Sequence, residues 1–112
     1  MILTETSSKG YRHRLEIVKD ILSILDVAGA RGSKKTHIMY GANLSYKLLE
    51  RYIGEVIESG LICTDERCIY FITDKGKEFL KIYMNYEKEM KEIDNHFIKI
   101  NNGKDELKKM LE

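Results

Sequence analysis

The sequence predicts a mainly α-helical fold with one small β-hairpin, and three observations support this prediction. Apolar residues recur at helical spacing through most of the 112 residues, and the chain contains no proline. Two short segments rich in β-branched and aromatic residues, 61–64 and 68–73, flank Asp65-Glu66-Arg67, as is typical of a hairpin. A sustained seven-residue apolar repeat then follows near the C-terminus, which is typical of a helix that pairs with another helix.

The first helix is predicted over residues 12–28, since its apolar side chains share one broad face. These side chains are Leu15, Ile17, Val18, Ile21, Leu22, Ile24 and Leu25. Two glycines within residues 29–33 end this helix, because glycine is costly inside one.

A short second helix is predicted next, over residues 34–41, with Ser33 as its cap and Ile38 and Met39 facing inward. Gly41 and Asn43 suit the left-handed turn that would end this helix. The chain is therefore expected to change direction before residue 45.

The third helix is predicted over residues 46–59, capped by Ser45 and ended by Gly60. The apolar side is predicted to contain Leu49, Ile53 and Val56, widened by Leu48, Tyr52 and Ile57. The residues on the opposite face are Lys47, Glu50, Arg51 and Gly54. Tyr46, in the first turn, can face either way. Glu50 is expected to have a structural role at the surface, because a carboxylate opposes phosphate.

The hairpin and a long last helix, which Thr73 is predicted to cap, complete the element order. A short helix joined by a tight turn to a longer one is a helix-turn-helix, and a hairpin directly after it is a wing. The sequence therefore predicts a winged helix-turn-helix followed by a long C-terminal coiled-coil helix. The expected boundaries are a flexible N-terminus at 1–11, the winged domain at 12–76, the dimerisation helix at 77–100 and a tail at 101–112.

The stretch "KKTHIMYGANLSYKLLERYIGEVIESGLI" and the later "YFITDKGKEFL" resemble the archaeal ten-kilodalton winged-helix chromatin proteins. The likeness extends over roughly Leu15 to Ile100, and "IMYGANLSY" is its most specific part. The resemblance implies a DNA-binding winged helix that forms a dimer through an antiparallel coiled coil of the last helices.

The distribution of charge also favours double-stranded DNA as the partner. The net charge is only +1, yet no acidic residue occurs between Val27 and Leu49, around the helix-turn-helix. The residues expected to contact DNA are Lys34, Lys35, Thr36, Ser45, Tyr46, Lys47, Arg51 and Arg67. Two roles are open for such a protein, a transcriptional regulator or an architectural chromatin protein. The acidic pair Asp65-Glu66 leaves a third, a protein–protein interaction module that does not bind DNA.

The last helix carries the apolar repeat, with successive spacings of 4, 3, 4, 3, 4 and 3 residues. The residues expected to form the dimer interface are Phe79, Tyr83, Tyr86, Met90, Ile93, Phe97 and Ile100. A helix from residue 74 to residue 100 would extend about 40 Å, well beyond a domain this small. Leu107 and Leu111 continue the register, so the tail is either a continuing helix or a folded-back one.

No enzyme, cofactor, metal site or small-molecule ligand is expected. His13, His37 and His96 lie on separate elements, and no pair of them has metal-ligand spacing. Cys63 and Cys68 flank the hairpin turn, where they either form a cross-strand disulfide or serve as small buried apolar residues. With no signal-peptide pattern and no apolar run of membrane-spanning length, a cytoplasmic, DNA-associated protein is expected.

Overall fold

The computed structural model describes residues 13–112, so the N-terminus expected to be flexible lies outside the described residues. The elements are helix α1 (Arg14–Ala28), a 3₁₀ turn (Gly29–Arg31), strand β1 (Ser33–Lys34), helices α2 (Lys35–Gly41) and α3 (Tyr46–Glu58), strands β2 (Ile62–Thr64) and β3 (Ile69–Ile72), and helix α4 (Asp74–Met110). This order confirms the predicted winged helix-turn-helix with a long C-terminal helix. The chain divides into two compact units, of which the first ends at Lys81 and the second comprises residues 82–112.

The three helices of the first unit share one apolar core. The fully buried side chains come from α1, α2 and α3, and the largest are Ile21, Leu22, Leu25, Ile38, Leu49 and Val56. Tyr52 is also buried, which confirms its expected place in the core, and Leu80 of α4 completes the cluster. Close packing of this kind fixes the angle at which α3 crosses α2.

Polar side chains cap the helices at three of their N-termini. The Ser45 hydroxyl accepts from the Leu48 N–H at 3.2 Å, and the Thr73 hydroxyl accepts from the Gly76 N–H at 3.1 Å, so both predicted caps are confirmed. The sequence did not predict the cap of α1, where His13 Nδ1 accepts from the Leu15 N–H at 3.1 Å.

The predicted cap of α2 is wrong, because Ser33 belongs to a strand. Ser33 and Lys34 form β1, which pairs antiparallel with β3 and opposes Ser33 to Tyr70. Gly32 permits this approach, since it has φ of +68° and an added Cβ would lie 2.6 Å from the Tyr70 carbonyl oxygen. The hairpin is thereby one part of a three-stranded sheet in the order β1-β3-β2.

The turn between α2 and α3 depends on Asn43 rather than on Gly41. Asn43 has φ of 55°, a left-handed conformation that asparagine adopts more readily than most residues. Gly41 remains within α2, so its predicted left-handed conformation is wrong.

Both predictions for the cysteines are also wrong. Cys63 is opposed by Phe71 across the β2–β3 ladder, and Cys68 lies in the turn with φ of 62°. Each is a free thiol and each is exposed, so they form neither a cross-strand disulfide nor buried apolar contacts.

Helix α4 is 37 residues long and passes through Asn101-Asn102-Gly103 without interruption. Of the two alternatives for the tail, the structure therefore has the continuing helix. Within residues 13–112, no helix combines the length and the apolar composition that crossing a membrane requires.

Candidate nucleic-acid interface

Helix α3 presents one exposed face to solvent, and this face includes the N-terminal turn of the helix. Lys47, Arg51 and Gly54 are all exposed on this face, and nothing lies within 4 Å of the position a Gly54 Cβ would occupy. Tyr46 is 63% exposed, which places it at the surface rather than in the core. A helix N-terminus carries unpaired N–H groups and a partial positive charge, both of which favour phosphate.

Three side chains from α2 and α3 meet on this face, and we call them the Glu50 cluster. Lys35 Nζ donates to Glu50 Oε2 at 2.7 Å, and the Tyr46 hydroxyl interacts with the same carboxylate closely enough to lower its pKa. The cluster joins the start of α2 to the first two turns of α3. Lys35 and Tyr46 are both among the predicted DNA contacts, and each is committed here to an internal partner.

Electrostatics within the Glu50 cluster favour the charged forms of the ion pair. Hydrogen bonds from Lys35 and then Tyr46 lower the pKa of Glu50 below its ordinary value, and the bond to Glu50 raises the pKa of Lys35. The same carboxylate raises the pKa of the Tyr46 hydroxyl, which therefore remains a hydrogen-bond donor. Lys35 and Glu50 are thus an ion pair at neutral pH.

Arg51 has two partners on its own helix. Its guanidinium lies 5.5 Å from the centroid of the Tyr52 ring, and its Nε is 3.9 Å from Glu55 Oε2. Glu55 also accepts from Arg14 of α1 at 3.0 Å. The Arg51 contact with Glu55 is long and exposed, so it restrains the guanidinium only weakly.

At the wing tip, residues 65–68, the charge of Arg67 is neutralised by Asp65 of the same turn. Arg67 donates to Asp65 Oδ2 through Nε and Nη2 at 3.0 and 2.7 Å, and Asp65 Oδ1 accepts from the backbone N–H groups of Arg67 and Ile69. These bonds, led by the one from the Arg67 side chain, lower the pKa of Asp65. Asp65 therefore stabilises the turn and also forms an ion pair with Arg67, the residue of the wing that was predicted to contact DNA.

Lys34 and Lys47 differ from the other predicted cations. Within residues 13–112, neither makes an ion pair with a carboxylate, whereas Lys35, Arg51 and Arg67 each do. Lys34 lies at the boundary between β1 and α2, close to the exposed Thr36, and Lys47 lies in the first turn of α3. The structure therefore leaves two unpaired lysines at the helix-turn-helix.

A groove between α1 and α2 was not predicted from the sequence. It is an open groove of about 560 Å³ whose lining includes Arg31, Lys34 and His37 as well as the exposed Val27 and Tyr40, with no acidic residue. The absence of acidic residues between Val27 and Leu49 is the sequence signal that could have indicated it. This groove extends the positive surface from Lys34 along the exposed side of α2.

The seven residues predicted to form the dimer interface, which we call the α4 stripe, are buried at the start of α4 and exposed further along. Phe79 packs against the core of the first unit, and Tyr83 and Met90 are half-buried. The remaining stripe residues are exposed, as is Leu107 in the same register; they are Tyr86, Ile93, Phe97 and Ile100. In the described part of the chain, no three histidine, cysteine or acidic side chains gather in a way that suits a metal ion.

Comparison with known proteins is consistent with this geometry. A family model described as winged helix-turn-helix matches residues 11–91. No curated protein matches the chain with significant similarity. The crystal structure of Sso10a-2, a DNA-binding protein from Sulfolobus solfataricus, is similar with a TM-score of 0.67 and 25% sequence identity, over 81% of this chain and 95% of that one.

Proposed function

Because the chain belongs to the winged helix-turn-helix family, we propose that it is a dimeric protein that binds double-stranded DNA. The proposal places the exposed face of α3 in the major groove, where Lys47 and Arg51 contact bases or phosphates. Lys34 and Thr36 hold the DNA backbone alongside. The name of the similar Sso10a-2 as a DNA-binding protein supports the same partner.

The observation that carries this proposal is the unpaired Lys47 beside the capped, exposed start of α3. Ser45 satisfies the Leu48 N–H, which leaves the N–H groups of Tyr46 and Lys47 directed outward. A lysine without an internal partner can neutralise a phosphate without first breaking an ion pair. Lys34, at the start of α2, can do the same next to it.

The number of cations without a carboxylate partner determines how strongly this surface binds DNA. Two unpaired lysines per subunit neutralise about four phosphates in a dimer, so the logarithm of affinity should fall with the logarithm of salt concentration with a slope of roughly −3.6. If all five predicted cations contacted phosphate, the same rule would give roughly −9. The structure thus supports moderate binding that is less salt-dependent than the composition of the helix-turn-helix suggests.

The proposed dimer forms through the second unit. Residues 82–96 contain four acidic and two basic residues, a net charge of −2, and residues 97–111 contain four basic and two acidic residues, a net charge of +2. An antiparallel pair places opposite charges together along its length, whereas a parallel pair places like charges together. This complementarity supports the antiparallel orientation independently of the family resemblance.

The proposed alignment of the two antiparallel α4 helices includes the tail, residues 101–112. If Ile93 faces Phe97 of the second copy, the same layer spacing pairs Met90 with Ile100 and Tyr83 with Leu107. Lys104 is the one charged residue in these layers. It faces Tyr86 of the second copy, and its methylene groups can pack against the Tyr86 ring. This register leaves no exposed member of the stripe in this unit without a partner.

The test is a fluorescence anisotropy titration of a random-sequence duplex between 50 and 300 mM salt. Lys47→Ala should flatten the slope by about 0.9 for each engaged subunit. Lys99→Ala, which removes the same charge from α4, is the matched control and should change the slope little. Binding by the parent that neither depends on salt nor responds to Lys47→Ala would refute this assignment of the surface. Selection of bound DNA from a random pool would then separate a regulator, which enriches one site, from an architectural protein.

The second candidate function is a winged-helix module that binds another protein and not DNA. The pairing of Lys35, Arg51 and Arg67 with carboxylates favours it, since these pairs lower the positive potential of the surface. Absence of duplex binding by the folded parent at 50 mM salt, together with an intact dimer, would support this alternative.

A further inference from the structure

Glu50 is a carboxylate in the middle of the face that we propose meets DNA. It lies on α3 between Lys47 and Arg51 in sequence, and its side chain is 41% exposed. A negative charge at this position opposes the approach of phosphate groups. Its charge is compensated inside the protein instead, by the ion pair with Lys35 at 2.7 Å and by the nearby Tyr46 hydroxyl, which lowers the pKa of Glu50.

The geometry of the Glu50 cluster links this compensation to DNA binding. Lys35 opens α2 and is 33% exposed, so its ammonium group is within reach of solvent while it holds Glu50. To bind a phosphate, Lys35 must leave the carboxylate. Glu50 would then face the DNA without a cation, which raises the free energy of the complex. Lys35 binding to phosphate and Lys35 binding to Glu50 are therefore alternatives.

We propose that Glu50 is a built-in restraint on DNA binding, which holds Lys35 away from phosphate and penalises close approach of duplex to α3. The inference rests on the proposed function and concerns how tightly the same surface binds. Its consequence is that removing the charge of Glu50 strengthens binding to arbitrary duplex. Removing an ordinary surface carboxylate, equally distant from the phosphates but without a cation to release, would give only the smaller gain that comes from loss of repulsion.

Glu50→Gln tests the inference, because glutamine keeps the shape and the accepting oxygen but not the charge. Release of one lysine per subunit adds a salt slope of about 0.9, which corresponds to roughly tenfold tighter binding at 50 mM salt for each engaged subunit. Glu58→Gln is the matched control, since Glu58 is exposed at the end of the same helix. It should change affinity less than threefold. Glu50→Ala, the second variant, should shift affinity in the same direction, and thermal unfolding verifies that each variant is folded.

The dependence on Lys35 separates release of a cation from simple loss of repulsion. In a Lys35→Ala background, Glu50→Gln should give a smaller gain and no steeper salt slope. If the parent binds duplex but Glu50→Gln and Glu50→Ala bind no more tightly than Glu58→Gln, the restraint is refuted and the proposed function is not. If neither the parent nor either Glu50 variant binds duplex, both the restraint and the proposed function are refuted.

Discussion

Replacement of Ile93 by Asp should dissociate the proposed dimer, whereas replacement of Ile98 by Asp should not. The two isoleucines lie five residues apart on α4 and have almost the same exposure, 56% for Ile93 and 54% for Ile98. They differ in register, because Ile93 belongs to the α4 stripe and Ile98 does not. The pair therefore tests the interface with the residue type, exposure and helix held constant.

The magnitude follows from the area that dimerisation would bury. Full burial of an isoleucine side chain stabilises by about 1.5–3 kcal/mol, so burying the exposed half of Ile93 contributes roughly half of that. Each substitution occurs twice in a homodimer, which gives roughly 1.5–3 kcal/mol. At 1.4 kcal/mol per tenfold change, Ile93→Asp should weaken dimerisation by about 10- to 140-fold, and the buried charge adds to this. Ile98→Asp should weaken it less than threefold.

Sedimentation equilibrium at several protein concentrations measures both dissociation constants directly. Aspartate has the same low helix propensity at both positions, so a loss of helix content alone would affect the two variants equally. Equal weakening by the two substitutions would refute the proposed stripe. A parent protein that is monomeric at tens of micromolar would refute the dimer itself.

Four further outcomes follow from the first unit and the tail. Cys68→Gly should raise the free energy of unfolding by about 0.5–1 kcal/mol in urea titration, because glycine adopts the left-handed conformation without steric cost; a decrease would contradict this. Gly76→Ala should lower it by about 1–3 kcal/mol, since the added Cβ would collide with the Leu61 carbonyl oxygen. Gly103→Ala, with nothing within 4 Å, should instead increase the helicity measured by circular dichroism. The lowered pKa of Asp65 means that its stabilisation of the wing is present above pH 3.8 and is lost as pH falls through the folded-state pKa. The protection factors of the hairpin amides, which account for the pH dependence of intrinsic exchange, should therefore fall in acid in the parent but not in Asp65→Asn.

The helices were predictable because their signals are local. Apolar residues at helical spacing identify α1, α3 and α4, and Ser45 and Thr73 cap helices within three residues of themselves. β1 was not predictable in the same way. It has only two residues, too few for an alternating pattern, and its partner strand lies more than thirty residues away. The local sequence accordingly predicts a cap at Ser33, because the neighbouring residues do not reveal the strand.

The position of the candidate interface was predictable, but its charge pairing was not. The restart of the helix at Ser45 indicates which turn of α3 is presented to solvent. The ion pair between Lys35 and Glu50 depends on the crossing angle of two helices, which the sequence does not state. The pair of Arg67 with Asp65 depends on the turn that Asp65 itself builds. The number of basic residues in the sequence therefore overestimates the number of cations on this face that have no carboxylate partner.

The central position of β3 makes the wing inseparable from the helix-turn-helix. β3 is bonded to β2 on one edge and to Ser33–Lys34 on the other, directly before the first residue of α2. A displacement of this strand is consequently transmitted through the backbone to the residues that open α2. The hairpin cannot be replaced independently in a chimaera, because the strand of a transplanted wing that takes the place of β3 would have to form the same hydrogen bonds with β1. Grafts that replace residues 65–68 alone keep that connection, and they are the appropriate way to alter the wing without altering the helices beside it.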